Sequence, residues 1–189
     1  MKIISQNLAN YDFPLPSNSI FRINIAWCNS LDELNSILNR HKKFSIFLDL
    51  PAGRIKPPNN KYSLNDLIPI INKNKQIKYF AISNVNSASD LSKYLTLMPS
   101  SVIIVPKIES PKGIDNIQEI TDILKGDKIV MLDHDDLFSS ILKNKMPESK
   151  FKDYIKKIVN YCDTNDIKLL RVAGIIFTDE EKHIKEYVK

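Results

Sequence analysis

Charged side chains lie at the ends of two successive apolar runs, where they could act together on a substrate. The first run, 102–108, contains Lys107 and leads directly to Glu109, and the second, 128–132, leads to polar residues at 133–136. If these runs are strands, Lys107 and Glu109 share one face because side chains alternate. Two neighbouring charges in a buried parallel sheet are costly unless they pair, bind a metal or meet a ligand.

The polar residues at 133–136 read Asp-His-Asp-Asp. Carboxylates from neighbouring strand ends are hard oxygen ligands, so Glu109 and one aspartate of this segment suit Mg²⁺, with Mn²⁺ as an alternative. Lys107 would then stabilise negative charge that develops beside the metal, and His134 is a candidate proton carrier. The pattern predicts a metal site that also accepts substrate oxygens.

A purely structural role accounts for parts of the same pattern. Asp133, Asp135 and Asp136 could cap the helix that follows and favour its dipole. Lys107 and Glu109 could form a simple ion pair. Pairing alone does not explain why the next strand end also supplies carboxylates, so we favour the metal site.

A second basic feature lies in the segment FRIN at 21–24, where Arg22 and Asn24 share a strand face. Arginine suits phosphate or carboxylate groups, so Arg22 is a candidate substrate-binding residue. The alternative is a salt bridge from Arg22 to Asp49, which ends the next predicted strand.

Short β-branched runs alternate with longer amphipathic segments along the chain, a pattern typical of βα units around a parallel sheet. The predicted strands are 2–5, 21–27, 44–48, 79–83, 102–108, 128–132 and 169–177. The predicted helices are 31–38, 64–71, 88–97, 113–124, 151–162 and 179–188. Weak capping boxes, Ser63 with Asp66 and Ser87 with Asp90, mark two helix starts.

This order predicts one α/β domain over residues 1–189 with about seven strands. A complete (β/α)8 barrel needs about 250 residues. We therefore expect a TIM-barrel-like (β/α) barrel that is incomplete, with an open doubly wound sheet as the alternative. Both architectures put chemistry at the carboxyl ends of the strands.

Composition narrows the class of protein. The 27 basic residues exceed the 22 acidic ones, but only four are arginines and the lysines are spread among acidic residues. This argues against nucleic-acid binding. The apolar runs are too short to cross a membrane, and the N-terminus lacks the pattern of a secretory signal. The two cysteines have no metal-site spacing. We expect a soluble cytoplasmic protein.

Five segments occur in this order: FRINIAW (21–27), FLDLPAGRIK (47–56), YFAISNVNSASDL (79–91), PKIESPKGIDNIQEI (106–120) and DHDDL (133–137). In order and spacing they resemble the catalytic A domain of pyruvate kinase, a member of the phosphoenolpyruvate/pyruvate superfamily. The similarity includes that family's Arg-x-Asn strand, its Lys-Ile-Glu strand and its Arg-Gly-Asp-Leu segment. The resemblance spans most of the chain.

The resemblance implies catalytic roles for the residues already singled out. Lys107 would be the electrostatic partner of an enolate, and Glu109 and Asp136 would be Mg²⁺ ligands. Arg22 would bind a phosphate group.

The resemblance also implies further substrate-binding positions. Asn24 and Asp49 would belong to the region that binds a monovalent cation in the family. His134 and Asp135 stand where the family has an Arg-Gly pair whose backbone cradles the substrate carboxylate.

The chain departs from the family in ways that affect function. Ala26 replaces a hydroxyl residue near the monovalent cation, which argues against that ion. Only some 20 residues separate the proline-rich loop from the fourth strand, so the family's inserted lid domain is missing. RVAGIIF replaces the threonine-rich seventh strand, and on this resemblance we expect the 189 residues to end before the family's eighth strand and C-terminal domain. These losses argue against ATP-linked phosphoryl transfer, because that reaction depends on positioning and charge stabilisation.

The expected function is therefore Mg²⁺-dependent chemistry on pyruvate, a 2-oxo acid or an enolpyruvate through a stabilised enolate. A lyase or aldolase reaction comes first, because pyruvate-forming aldolases and citrate-lyase-like enzymes use the same Glu/Asp/Mg²⁺ arrangement. Pyruvate-kinase-type phosphoryl transfer and a non-catalytic binding role are the alternatives. We also expect a homo-oligomer, or a partner subunit that closes the gap, because an incomplete barrel leaves unpaired strand edges.

Overall fold

The computed structural model describes residues 1–5, 18–53, 58 and 60–171. Within these residues it contains seven strands: β1 (Ile3–Ser5), β2 (Ile20–Asn24), β3 (Ser45–Leu50), β4 (Ile77–Ile82), β5 (Ile103–Ile108), β6 (Ile129–Leu132) and β7 (Lys168–Leu170). The α-helices are α1 (Leu31–Arg40), α2 (Leu64–Lys73), α3 (Ser92–Leu97), α4 (Pro111–Asp115), α5 (Ile117–Asp122), α6 (His134–Lys143) and α7 (Lys150–Thr164). Two 3-10 helices, Ile25–Trp27 and Ala88–Leu91, follow β2 and precede α3.

All seven strands are parallel, and each pairs with the next one along the chain, in the order β1 to β7. Together they form a curled half-barrel sheet with helices. The predicted α/β class and strand number are confirmed. A doubly wound sheet requires a reversal of strand order, which the described strands do not contain, so that alternative was wrong.

The two faces of the sheet have different partners. The larger apolar cluster joins one face to buried residues of the helices, such as Leu34, Leu67 and Ile141. The smaller cluster on the other face, the inner face, contains only strand residues: Ile20, Phe47, Ala81, Val105 and Ile129. Right-handed crossovers between successive parallel strands put their helices on one face, which explains this division.

The inner face changes character along the strands. In β2, Ile20 is followed on the same face by Arg22 and Asn24, and in β5, Val105 is followed by Lys107. The inner face is thus apolar near the amino ends of the strands and polar near their carboxyl ends. The apolar half anchors the sheet, and the polar half is available for chemistry.

Several predicted boundaries differ from the structure for identifiable reasons. The strand predicted at 21–27 ends at Asn24, whose side-chain oxygen accepts a hydrogen bond from the N–H of Ala26 (3.1 Å) and starts a 3-10 helix. The helix predicted at 113–124 is two helices that meet at Asn116. The side-chain N–H₂ of Asn116 donates to the Asn86 carbonyl (2.8 Å). Helix α6 was foreseen only as the helix that Asp133, Asp135 and Asp136 could cap, and its bounds were not predicted.

Other predictions are confirmed or lie outside the described residues. The capping box at the start of α2 is present: Asp66 accepts from the Ser63 N–H (2.7 Å) and donates its own N–H to the Ser63 hydroxyl (3.3 Å). Residues 172–177 of the last predicted strand and the helix at 179–188 lie outside the described part. No helix in the described part is long and apolar enough to cross a membrane.

Candidate active site

A cavity of about 630 Å³ lies at the carboxyl ends of β2 to β6. Its lining is mostly polar and charged, unlike the apolar amino end of the inner face. Four cationic and three acidic side chains line it: Arg22, Lys107, Lys112, Lys143, Glu109, Asp133 and Asp136. The structure therefore brings the predicted residues Arg22, Lys107, Glu109 and Asp136 into one cavity, and Asn24 lines it as well.

Lys107 is the centre of a buried ion network. Its ammonium lies 2.9 Å from the Glu109 carboxylate and 3.6 Å from that of Asp49, and it donates to the Ser83 hydroxyl (2.9 Å). Arg22 approaches Asp49 from the other side, and its Nε donates to Oδ2 of Asp49 (3.0 Å). The two ion pairs offered by the structural alternative are both present. They join into one network because Lys107 reaches both carboxylates.

Burial and charge act in opposite directions on this network. Burial by itself lowers the pKa of Lys107, but the carboxylates of Asp49 and Glu109 more than offset it, so the pKa lies above the ordinary lysine value. Burial raises the pKa of Glu109, against the opposing effect of Lys107, and Asp133 adds to the rise. Lys107 therefore stays protonated. A further cation near Glu109 would favour the ionised form of its carboxyl group.

Asp49 is fully buried, and its side chain does not line the cavity. Its Oδ2 faces both Arg22 and Lys107, whereas its Oδ1 has no hydrogen-bond partner within the described part of the chain. Two cations already neutralise this carboxylate, so a monovalent cation bound beside it would meet repulsion. The charge arrangement argues against the monovalent-cation role that the resemblance implies for Asn24 and Asp49.

Three carboxylates converge on the opposite side of Lys107. Glu109, Asp133 and Asp136 each offer one oxygen, and these oxygens lie within 4.8 Å of one another. Asp133 is also the N-cap of α6, because its Oδ1 accepts from the N–H of Asp136 (3.2 Å). The capping role and a ligand role are compatible, because a carboxylate has two oxygens with free lone pairs. This acidic triad could hold a metal ion.

Asn84 holds Glu109 in place from the loop after β4. Its backbone N–H donates to Oε2 of Glu109 (2.6 Å), and its side-chain N–H₂ donates to the Ala52 carbonyl (2.7 Å). Its φ is 59°, in the left-handed region that costs most side chains about 1–2 kcal/mol. The backbone bends there to direct an N–H at the carboxylate, so the loop positions a candidate metal ligand.

His134 and Asp135 lie at the start of α6, and their side chains are not part of the cavity lining. The His134 ring packs edge-on against Phe151, with centroids 6.4 Å apart, and the Asp135 side chain is exposed. The structure thus keeps these two side chains apart from the other predicted site residues. A role for them would depend on the backbone at the helix start.

Three residues of the site were missed or undervalued by sequence reasoning. Asp133 was considered only as a helix cap, and Ser83 and Asn84 were not singled out. Strand alternation would have found two of them, because Ser83 follows Ala81 on the inner face of β4 and Asp133 follows Met131 on that of β6. No local signal predicts the contact of Asn84.

Comparisons with known proteins inform the fold. No protein-family model and no curated protein matches the sequence. The structure is similar to the crystal structure of RipC from Yersinia pestis, with a TM-score of 0.59 over 85% of this chain and 72% of that chain. The two sequences are 14% identical, so the likeness concerns the fold alone. The resemblance to pyruvate kinase stays a prediction.

Proposed function

We propose that the chain is a Mg²⁺-dependent enzyme that acts on pyruvate, another 2-oxo acid or an enolpyruvate. The proposed reaction forms or breaks a carbon–carbon bond at the carbon atom next to the carbonyl group, as a lyase or aldolase does. The relationship to pyruvate kinase that the motifs suggest is part of this proposal.

The observation that carries the proposal is the acidic triad beside a buried ammonium group. Carboxylates this close repel one another unless a proton or a cation lies between them. Glu109, Asp133 and Asp136 are hard oxygen donors, the ligand type that Mg²⁺ and Mn²⁺ prefer. The donor set therefore fits a divalent cation. When bound, that cation would act as a Lewis acid on the substrate carbonyl.

Lys107 would stabilise the negative charge that grows on the substrate oxygen as the enolate forms. Its ammonium is held by Glu109 and Ser83, so it is pre-organised before the substrate arrives. Fixed charges of this kind stabilise a transition state without reorganising during the reaction. The Arg22 guanidinium donates to Asp49 through its Nε. Its remaining N–H groups could bind the substrate carboxylate.

A lyase or aldolase reaction is favoured over phosphoryl transfer by the connection between β3 and α2. This connection spans only residues 51–63, which leaves no room for a lid domain over the cavity. Phosphoryl transfer depends almost entirely on positioning and charge stabilisation around the phosphates.

The same proposal includes a TIM-barrel-like fold that is incomplete. Three features support it: the sequential strand order, the helices packed on one face, and the polar residues at the carboxyl ends of the strands. Active sites of such barrels lie at that end.

In the described residues, β1 and β7 each pair on one side only. We propose that a second copy covers a sheet edge, and light scattering that shows only monomer would oppose this.

The test is exchange of the pyruvate methyl protons in heavy water, followed by NMR with and without Mg²⁺. We expect Mg²⁺-dependent exchange that Glu109→Gln and Asp136→Asn each reduce by at least about a hundredfold, as losses of transition-state stabilisation do. Glu148→Gln is the matched control, because Glu148 is exposed and lies outside the cavity. Exchange that persists in both site variants would contradict the metal assignment.

Two further readouts separate the alternatives. Formation of ATP from phosphoenolpyruvate and ADP would indicate phosphoryl transfer. If Mg²⁺ and pyruvate raise the melting temperature but no exchange occurs, the chain binds the ligand without turning it over.

A further inference from the structure

The cavity continues past the acidic triad along helix α6. Asp136, Ser139, Ser140 and Lys143 all line it, at spacings of three, four and seven residues. Residues at these spacings share one face of a helix. The opposite face carries the buried residues Leu137 and Ile141, which anchor the helix to the core. One polar stripe of α6 thus forms a wall of the cavity from the metal site outwards.

Lys112 lines the same cavity from α4, which follows β5. Lys112 and Lys143 are both exposed. Within the described residues neither forms an ion pair, whereas Arg22 and Lys107 are paired with carboxylates. The cavity therefore has two exposed cations that no carboxylate of the described residues pairs with.

At the acidic triad, unlike at Lys112 and Lys143, groups of opposite charge lie close together. The acidic triad would be largely neutralised by a divalent cation together with Lys107. A substrate with a single carboxylate would then leave the two outer lysines uncompensated. A substrate that carries a second anionic group could pair with them while its 2-oxo acid end lies at the metal site.

We propose that Lys112 and Lys143 form a subsite for a second anionic group of the substrate, a distal carboxylate or phosphate. The proposal rests on the function proposed above and narrows the substrate class from 2-oxo acids in general to those with a second anionic group. Ser139, whose hydroxyl lies on the same wall, would add a hydrogen-bond donor.

Helix geometry sets the size of that substrate. Asp136 and Lys143 are seven residues apart, which corresponds to about 10 Å along the helix axis. Helical side chains lean toward the N-terminus, so the Lys143 side chain points back toward the triad and shortens this span. Pyruvate is too short to reach from the triad to the lysines. A 2-oxo acid with several further carbons and a charged end fits the span.

Isothermal titration calorimetry in saturating Mg²⁺ tests the proposal with matched pairs of probes. The carboxylate pair is 2-oxoadipate and 2-oxohexanoate, and the phosphate pair is 2-keto-3-deoxy-6-phosphogluconate and 2-keto-3-deoxygluconate. Pyruvate is measured in parallel. We expect one of the two probes with a distal anionic group to bind roughly tenfold more tightly than its less charged partner, with a preference that weakens in high salt.

The variants assign the preference to the two lysines. Lys112→Met with Lys143→Met should abolish the preference and leave the affinity for pyruvate unchanged. The control is Lys152→Met with Lys156→Met, which removes the same charge from exposed positions of α7 outside the cavity. This control should keep the preference.

The outcomes separate this proposal from the proposed function. If pyruvate binds in a Mg²⁺-dependent manner but neither probe with a distal anionic group is preferred, the subsite is refuted and the proposed function stands. A preference that survives in the Lys112 and Lys143 double variant also refutes it. If neither pyruvate nor any longer 2-oxo acid binds, the proposed function fails and the subsite fails with it. The pair that shows the preference identifies the distal group as carboxylate or phosphate.

Discussion

Replacing Lys107 with methionine should destabilise the fold by about 3–5 kcal/mol, the usual cost of leaving a buried charge without its partner. Lys107 and Glu109 are each only 5% exposed, and their charged groups lie 2.9 Å apart. Methionine is unbranched and adapts to irregular space, so the packing loss is small. The penalty therefore comes mainly from charge. Asp49 keeps Arg22, but among the described residues Glu109 keeps only the backbone N–H of Asn84 as a partner.

Urea denaturation measures this effect against two companion variants. Lys157→Met removes a lysine from an exposed ion pair with Asp115, in which both side chains are 50% exposed, and should cost less than about 1 kcal/mol. Lys107→Met combined with Glu109→Gln should recover roughly 1–3 kcal/mol of the loss, because the unpaired charge is gone.

The loss should depend on pH in a defined direction. Burial already raises the pKa of Glu109, and removal of the Lys107 ammonium raises it further. A carboxyl group whose pKa is raised by folding opposes folding as the pH increases through that pKa. The deficit of Lys107→Met relative to the wild type should therefore be smaller at about pH 5 than at about pH 8.

Magnesium links this experiment to the proposed site. Free Mg²⁺ at about 100 times its Kd should stabilise the wild type by about 2.7 kcal/mol. Loss of a neighbouring positive charge strengthens cation binding, so Mg²⁺ should stabilise Lys107→Met more than the wild type. A Lys107→Met cost no larger than that of Lys157→Met would refute the buried network, and equal Mg²⁺ responses would refute the coupling to the acidic triad.

Further predictions concern two glycines, the loop at Asn84 and the two buried thiols. Gly113→Ala should cost more than about 1 kcal/mol in urea denaturation, because its Cβ would lie 2.6 Å from a backbone carbonyl. At Gly126 an added Cβ would have no neighbouring atom within 4 Å, so Gly126→Ala should lower the free energy of unfolding only by the cost of a positive φ, about 1–2 kcal/mol. Asn84→Val should weaken Mg²⁺ binding in calorimetry more than Asn84→Gly, because only glycine tolerates that φ without strain. Burial raises the pKa of both Cys28 and Cys162 to about 11, so thiol reagents near neutral pH should label the native protein much more slowly than the denatured one.

The main elements and the inner face of the sheet followed from local patterns. Alternation put Lys107 with Glu109 and Arg22 with Asn24, and those pairs share the face that lines the cavity. The helix start at Ser63 was predicted from the capping residues alone. These features depend on neighbours within a few residues, where the backbone geometry of a strand or helix sets the spacing.

Pairing across elements was less predictable. The Arg22 to Asp49 salt bridge and the Lys107 to Glu109 ion pair were both foreseen, but as separate interactions that competed with a functional role. The structure joins them because Lys107 also lies 3.6 Å from Asp49, two strands away. The sequence contains no signal for that distance, which depends on strand order and on the curvature of the sheet.

The sequence by itself determined which residues occupy the polar end of the inner face, because side-chain alternation in a strand is a local property of the backbone. Tertiary structure decided which of those residues meet. It brought Asp133 into the acidic triad, turned the loop at Asn84 toward Glu109, and aligned one face of α6 with the cavity. Each of these contacts joins separate elements, and their distances depend on how loops and helices pack against the whole sheet.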